Sequence, residues 1–375
     1  MPRRCGALRA YGQGTKKWRA TLGPCRTLSI KPQHFGLKST KSLAAVEAGA
    51  TRGAANLTVY AATAGPDGSA VARRPLAYEL LLYLRPEHQA LQPGAAAVLG
   101  FYLEDPTADR TLAQLHVFPD AATGVARSPA QAPFGAVQLA PGLGSGPLHH
   151  LLDAVEERLA HAGLRRLALR GYPFAYAPAE AVVLAETLRQ RGYRVVLAEQ
   201  NYHLDPARDY ESHLHPSERR RLHKCRSHGL HFEQEPPFLL PAAYDFLLAC
   251  RQERGQALSL PLARLQELFR RFPREHFLFS VRQPDGGWAA LTVAIQVSAR
   301  VLYNFYPASP LRCNALSPVV LLNEGLHAFA RASGMTVLDL GTSTLDTGPN
   351  ASLLRFKRHL GGVAGLRLSW EKALA

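Results

Sequence analysis

The chain has 375 residues, 44 Lys and Arg against 29 Asp and Glu, and a formal charge of +15. Its 47% share of hydrophobic residues excludes a disordered or fibrous chain, and no run of about 20 uncharged apolar residues offers a membrane-spanning helix. At roughly 150 residues per domain, the length is that of two domains and a remainder.

The charge is unevenly placed. Residues 1–74 carry 13 Lys and Arg against Glu47 and Asp67, a charge of +11, whereas residues 75–375 carry only +4. This first stretch is rich in Gly, Ser, Thr and Ala and shows no sustained apolar period, so it reads as a basic, disordered tail outside the core. A flexible arm, a transit peptide and translated sequence upstream of the true start are its three readings. Gly12, Gly14, Gly23, Pro24 and Pro32 break any amphipathic helix there. The five cysteines are widely spaced with no C-x-x-C pair, which fits reduced thiols in a cytoplasmic protein better than a disulfide framework.

From residue 75 apolar strands alternate with amphipathic helices. Leu76–Leu84 reads as a strand or a buried helix, and Ala97–Leu103, Gln114–Pro119 and Phe134–Leu139 read as strands. Leu148, Leu151, Leu152, Val155 and Leu159 recur at helical spacing before Gly163. Arg165–Leu169 is a strand, Pro178 opens a helix that ends at Gly192, and Tyr193–Leu204 is a strand again. The polar segment 205–211 divides a first domain, 75–207, from a second, 208–375.

In the second domain Ser217 is positioned to cap a helix that ends at Gly229, and Leu230–Glu233 is a short strand. Helices are expected over 241–254 and 261–271. Phe277–Arg282 and Trp288–Val297 flank the turn Pro284-Asp285-Gly286-Gly287 as a hairpin, and Val301–Tyr306 continues the meander. A helix from Pro318 to Ala332, a buried strand Thr336–Leu340, a helix Asn350–Leu360 and a strand Leu366–Trp370 complete the chain.

A three-strand meander followed by loop, helix, strand, helix and strand resembles the GNAT acyltransferase fold. The doubled layout of residues 75–375 resembles its FemAB-like branch, with two tandem GNAT-like domains in one chain. The residues that carry the likeness are Ser217-Glu218-Arg219-Arg220-Arg221-Leu222-His223-Lys224-Cys225 before Gly229, Ser317-Pro318, Leu338-Asp339-Leu340-Gly341, and above all Phe356-Lys357-Arg358-His359-Leu360-Gly361. The resemblance implies an α/β fold in which each domain has a mixed central sheet flanked by helices. It also implies transfer of an acyl group from an acyl-CoA such as acetyl-CoA to a small-molecule or peptide amine, with no metal and no membrane partner.

The donor loop that the resemblance implies, an Arg/Gln-x-x-Gly-x-Gly/Ala pattern, falls on Arg312, Cys313, Asn314, Ala315, Leu316 and Ser317, with Ala315 and Ser317 in the small-residue positions. Ser317 is a good N-cap and Pro318 a good first helical residue, so amide donors and the positive helix end would face a pyrophosphate. Lys357 is a candidate for a phosphate or acceptor contact, or a solvated helix lysine. For the proton of the attacking amine, Asp339, Tyr303 and Tyr306 are candidates by placement, against ordinary packing or pairing roles. No tyrosine follows the Thr336 strand, where many GNAT enzymes keep an acid; Thr342, Ser343 and Asp346 are the nearby substitutes.

Two further clusters stand out. His213, His215, His223, His228, His231 and Cys225 crowd together without closing a tetrahedral metal set. Arg219, Arg220, Arg221, Lys224 and Arg226 form a basic helix with no interleaved aromatics. Members of the resembled branch use aminoacyl-tRNA, which this helix could meet, but the absence of a base-stacking platform makes tRNA the lesser reading. A non-catalytic binding module is the third reading, and open strands around Tyr306 and Leu338 would argue against it.

Overall fold

The computed structural model describes residues 56–64, 70–94, 97–345 and 348–374. The first half contains β1 (Thr58–Thr63), α1 (Pro86–Gln89), β2 (Leu99–Asp105), β3 (Arg110–Asp120), β4 (Val125–Ser128), β5 (Gln138–Leu139), α2 (Ser145–His161), β6 (Arg166–Arg170), α3 (Pro178–Gln190) and β7 (Arg194–Leu204). In the second half α4 (Tyr210–His213), α5 (Pro216–Ser227), β8 (His231–Glu235), α6 (Leu240–Gln252) and α7 (Leu262–Arg271) lead to the meander β9 (His276–Arg282), β10 (Trp288–Ser298) and β11 (Val301–Asn304). α8 (Val319–Ala332), β12 (Val337–Thr342), β13 (Thr344–Leu345), β14 (Gly348–Pro349), α9 (Ala351–His359) and β15 (Val363–Ala373) follow.

One mixed sheet runs through both halves in the order β1-β2-β3-β4-β6-β15-β7-β12-β11-β10-β9-β8, with β5 beside β3. The halves are interleaved at its centre. β15, the last strand of the chain, is antiparallel both to β6 and to β7, and β7 in turn pairs with β12. Each half contributes one parallel pair, β4 with β6 and β11 with β12, and all other neighbours are antiparallel.

The period-2 side-chain rule sorts the strands into two faces. On one face Leu338 and Leu340 of β12 pack with Leu322 and Leu326 of α8 and Leu222 of α5. Leu167, Leu169 and Trp370 pack under the stripe Leu148, Leu151, Leu152, Val155 and Leu159 of α2. This stripe is fully buried, and truncating one of its leucines to alanine would cost about 2–5 kcal/mol. On the other face Val301 and Val337 join α6 and α7 through Leu247, Leu265 and Leu268.

Several expectations change. β1 lies within the stretch assigned to the tail, yet it pairs residue for residue with β2 from Thr58–Glu104 to Thr63–Leu99. Its single short run, with Ala62 the one buried position, is too brief for a periodic signal. The expectations for residues 1–55 lie outside the described residues. Leu76–Leu84 is neither strand nor α-helix: Leu81, Leu82 and Leu84 are buried along an irregular segment ending in a 3₁₀ turn, Leu82–Leu84. Of Phe134–Leu139 only Gln138–Leu139 is strand. α5 is capped by His215, whose Nδ1 accepts the Ser217 amide, with Pro216 as its first residue.

Candidate active site

β11 and β12 pair in parallel only over Val301–Tyr303 and Val337–Asp339, with Tyr303 opposite Asp339 on one face. Beyond that point they part. The Phe305 and Tyr306 amides both turn to the Val293 carbonyl of β10, at 3.0 and 3.2 Å, while β12 runs on to Thr342. The β11 side of the gap is therefore fixed by hydrogen bonds to β10 and the β12 side by those to β7.

A buried polar cluster stands where the strands separate. The Asp339 carboxylate accepts the Tyr176 hydroxyl at 2.6 Å, the Asn201 amide at 3.0 Å and the Gly341 N–H at 2.7 Å. Burial pushes its pKa up, against the hydrogen bonds from Tyr176 and Gly341 and the charges of Lys357 and Arg367. Lys357 is almost fully buried and donates to the carbonyls of Gly341 and Thr342, both at 2.8 Å. Burial lowers its pKa to about 8, with Asp339 opposing the shift. Gly341 has φ +75°, and a Cβ there would stand 3.2 Å from the Tyr303 ring, so this position needs glycine on two counts. Burial, then the Asp339 charge, raises the Tyr303 phenol, which keeps its proton at any ordinary pH.

The opening leads into a cavity of about 640 Å³ between the halves. Tyr303, Phe305 and Thr342 line one end and the ends of β4 and β6, including Ser128, Leu169 and Arg170, the other. Arg127, Arg264 and Arg367 also reach it. Tyr83 and His88 form part of the wall. Each is 3% exposed, and the Tyr83 hydroxyl and His88 Nδ1 have no hydrogen-bond partner among the described residues. Burial, with His276 and Arg264 nearby, lowers His88 to about 3, so its ring is neutral.

The sequence candidates divide. Tyr303 lines the cavity, whereas Asp339 and Lys357 lie one layer behind it. The Tyr306 hydroxyl is held by Ser259 and accepts the Leu260 N–H, so it secures the wall segment that Ser259 and Leu260 present to the cavity. Arg312, Asn314, Ala315, Leu316 and Ser317 precede α8 but do not line the cavity. There the amides of Asn314, Leu316 and Ser317 are spent on Leu311 and Cys313 carbonyls, and the Ala315 and Leu316 carbonyls are bound by Lys224 and Cys225. Ser317 adopts φ +54° and caps nothing; Pro318 is the N-cap residue, because the turn before the helix is already closed by Ser317 N–H to Cys313. Asp346 lies outside the described residues.

The other clusters resolve into local pairing. His215 stacks on His359 at 4.1 Å, His213 and His228 bind backbone carbonyls, and no group of three metal-ligating side chains occurs among the described residues. On α5, Arg219 is bound to the Glu211 carbonyl, Arg221 to Glu218, Lys224 to the Ala315 carbonyl and Arg226 to Glu211 and Glu324. Only Arg220 of that run lacks a partner among the described residues, so little of its charge is free for a nucleic-acid backbone. Sequence reading missed Tyr83, Tyr176, Arg170 and Arg367. Tyr176 ends a short 3₁₀ turn, Phe174–Tyr176, 163 residues from Asp339, and nothing local announces that contact.

The fold, a mixed sheet in two helix-flanked halves with one parallel strand pair each, is similar to that of FemX. Among solved structures the chain is similar to FemX, at 11% identity over 73% of this chain and 87% of that one, with a TM-score of 0.56. It is also similar to a conserved protein of unknown function from Bacteroides thetaiotaomicron, at 8% identity over 74% and 86%, TM-score 0.50. A tandem GNAT protein from the clavulanic acid biosynthesis pathway aligns at 13% identity over 74% and 83%, TM-score 0.46. At these identities the likeness is one of fold. No protein-family model matches the chain, and no curated protein matches it significantly.

Proposed function

We propose that the protein is an acyltransferase that moves an acyl group from an acyl-CoA to an amine, with the reacting carbon held where β11 and β12 part. The observation that supports this most is the convergence of four strand ends on one cavity: β4 and β6 from the first half, β11 and β12 from the second. Two substrates can enter from opposite halves and meet. Attack of a neutral amine on a thioester carbonyl builds negative charge on the carbonyl oxygen and then on the leaving sulfur, and a phenol that keeps its proton can donate to either. Tyr303 takes that role, Thr342 stands beside it, and Asp339 and Lys357 are positioning residues that fix the end of β12. Lys357 donates to two carbonyls and holds the strand; the proton shed by the attacking amine passes to water in the cavity, from which the phenol that protonates the leaving sulfur is restored.

The paired charges of α5 weigh against aminoacyl-tRNA. Purified protein is mixed with acetyl-CoA or longer acyl-CoAs and a panel of amines, and released thiol is followed. Amine-dependent thiol release that falls with Tyr303→Phe is the expected result. No binding and no release with any acyl-CoA would overturn the reading, and transfer from aminoacyl-tRNA alone would replace the donor.

A further inference from the structure

The end of the cavity under the first half has its own chemistry. Arg170 of β6 stands opposite Ser369 of β15, which stands opposite Leu197 of β7, and all three line the cavity. Its arginines are not equivalent. Arg367 is held twice by Glu199, at 2.5 and 2.9 Å, and donates to the Pro133 carbonyl. Arg264 is spent on Glu267 and the Leu91 carbonyl, and Arg127 lies 3.5 Å from Asp120. The Arg170 guanidinium has no hydrogen-bond or ion-pair partner among the described residues. The Ser369 hydroxyl beside it is also buried without a partner.

An unmatched cation and an unmatched hydroxyl on neighbouring strands are the complement of an anionic acceptor of hydrogen bonds. Arg170 remains exposed, with partial desolvation and the Arg367 charge disfavouring its charged form and Glu199 favouring it. Charge balance selects the anion. Glu199 already neutralises Arg367, and Glu371 is bound to Arg166, so one positive charge is left to match. That is the charge of a carboxylate, which also fits a planar guanidinium; a phosphate dianion would be under-compensated.

We propose that, within the transfer reaction inferred above, this end of the cavity binds a carboxylate on the acceptor through Arg170 and Ser369 while the acceptor amine reaches Tyr303. The strands set the length. From Arg170 to Tyr303 is four strand spacings of about 4.8 Å, and from Leu197 to His203, the partner of Asp339 opposite Tyr303, six residues of about 3.3 Å, which gives roughly 28 Å between backbones. The reach of the arginine and tyrosine side chains leaves on the order of 15 Å between carboxylate and amine. Leu197 and the Glu199-paired Arg367 line the interval between the two ends.

Calorimetric titration tests this with 11-aminoundecanoate, its methyl ester, the corresponding ω-aminoalkyl phosphate, and glycine. The long amino acid is expected to bind, and its Kd to rise at least ten-fold in Arg170→Gln and a few-fold in Ser369→Ala. The ester on the unaltered protein should bind as weakly as the acid on Arg170→Gln, and glycine should be indifferent to either substitution. Overturning results are no saturable carboxylate binding at millimolar concentration, equal binding by both variants, or Arg170-dependent preference for the phosphate. If Arg170→Gln does not fold, Ser369→Ala and the ester carry the test. Turnover with simple amines but no carboxylate effect would sink this inference alone; carboxylate binding without turnover from any acyl donor would sink the transfer reading alone.

Discussion

Lys357→Met tests the buried cluster behind the cavity through its pH dependence. Lys357 is 5% exposed, and burial lowers its pKa from 10.5 to about 8. Between those values the folded protein holds fewer protons than the unfolded chain, so this group makes stability rise with pH across the window. Below pH 8 the ammonium is charged in both states and its burial penalty is present in full. The whole shift is worth about 3 kcal/mol, of which about 2 kcal/mol is recovered between pH 7.5 and 9.5. The methionine leaves the Gly341 and Thr342 carbonyls unpaired at every pH, which sets an offset of about 1–3 kcal/mol per group but not a slope. Urea unfolding of both proteins at pH 7.5, 8.5 and 9.5 supplies the measurement. Tyrosines whose burial raises them, such as Tyr176 and Tyr210, act on both proteins equally and cancel in the difference. Relative to the variant, the unaltered protein should gain about 2 kcal/mol from the lowest pH to the highest. Parallel profiles would show that Lys357 is not a charge held against burial, and the account of the cluster would fail.

Tyr303→Phe removes a hydroxyl with no hydrogen-bond partner among the described residues, so the melting temperature should hold while amine-dependent thiol release falls by about 100-fold; unchanged turnover would remove Tyr303 from the reaction. Gly341→Ala forces a φ of +75° on alanine and pushes on the Tyr303 ring, so a loss of about 1–2 kcal/mol in urea unfolding should accompany reduced activity. In Tyr306→Phe the Ser259 and Leu260 contacts are lost; proteolysis in the 255–261 segment should quicken and KM should rise more than kcat falls. Truncation after Leu360 deletes β15 and should abolish cooperative urea unfolding of both halves, since that strand joins β6 to β7.

What sequence could report was set by the range of the interactions. α2, α3, α6, α7 and α8 carry their own periodic stripes and stop signals, and each lies close to the expected span. The β9–β10 hairpin was visible in Pro284-Asp285-Gly286-Gly287 because a turn is a local event. Asp339 and Tyr303 were singled out for their place on expected strands, and their adjacency follows from parallel register. Arg170 reads as one more strand-end arginine until β15 lays Ser369 beside it, a contact between residues about 200 positions apart. Ser317 misled for the opposite reason: Ser-Pro before an apolar run is a sound capping signal, but the preceding turn closes on Cys313 and uses the amide first.

The interleaving at the sheet centre ties the two halves together, since β15 from the end of the chain lies between β6 and β7. Helices α2 and α3 pack on the first half's strands and α5, α8 and α9 on the second's, while a third cluster joins Tyr83, Phe134 and Tyr176 of the first half to Leu247, Leu265 and Val301 of the second. The cavity belongs to neither. Its floor is β15 from the end of the chain lying between β6 and β7 from the first half, and its far wall is the β11–β12 opening. Arg367 makes the dependence concrete. A residue of the last strand pairs with Glu199 of β7 and holds the Pro133 carbonyl, and thereby sets the wall on which a first-half ligand would rest. Neither half encloses the cavity without the other, so a substitution that loosens β15 should disturb both ends of it at once.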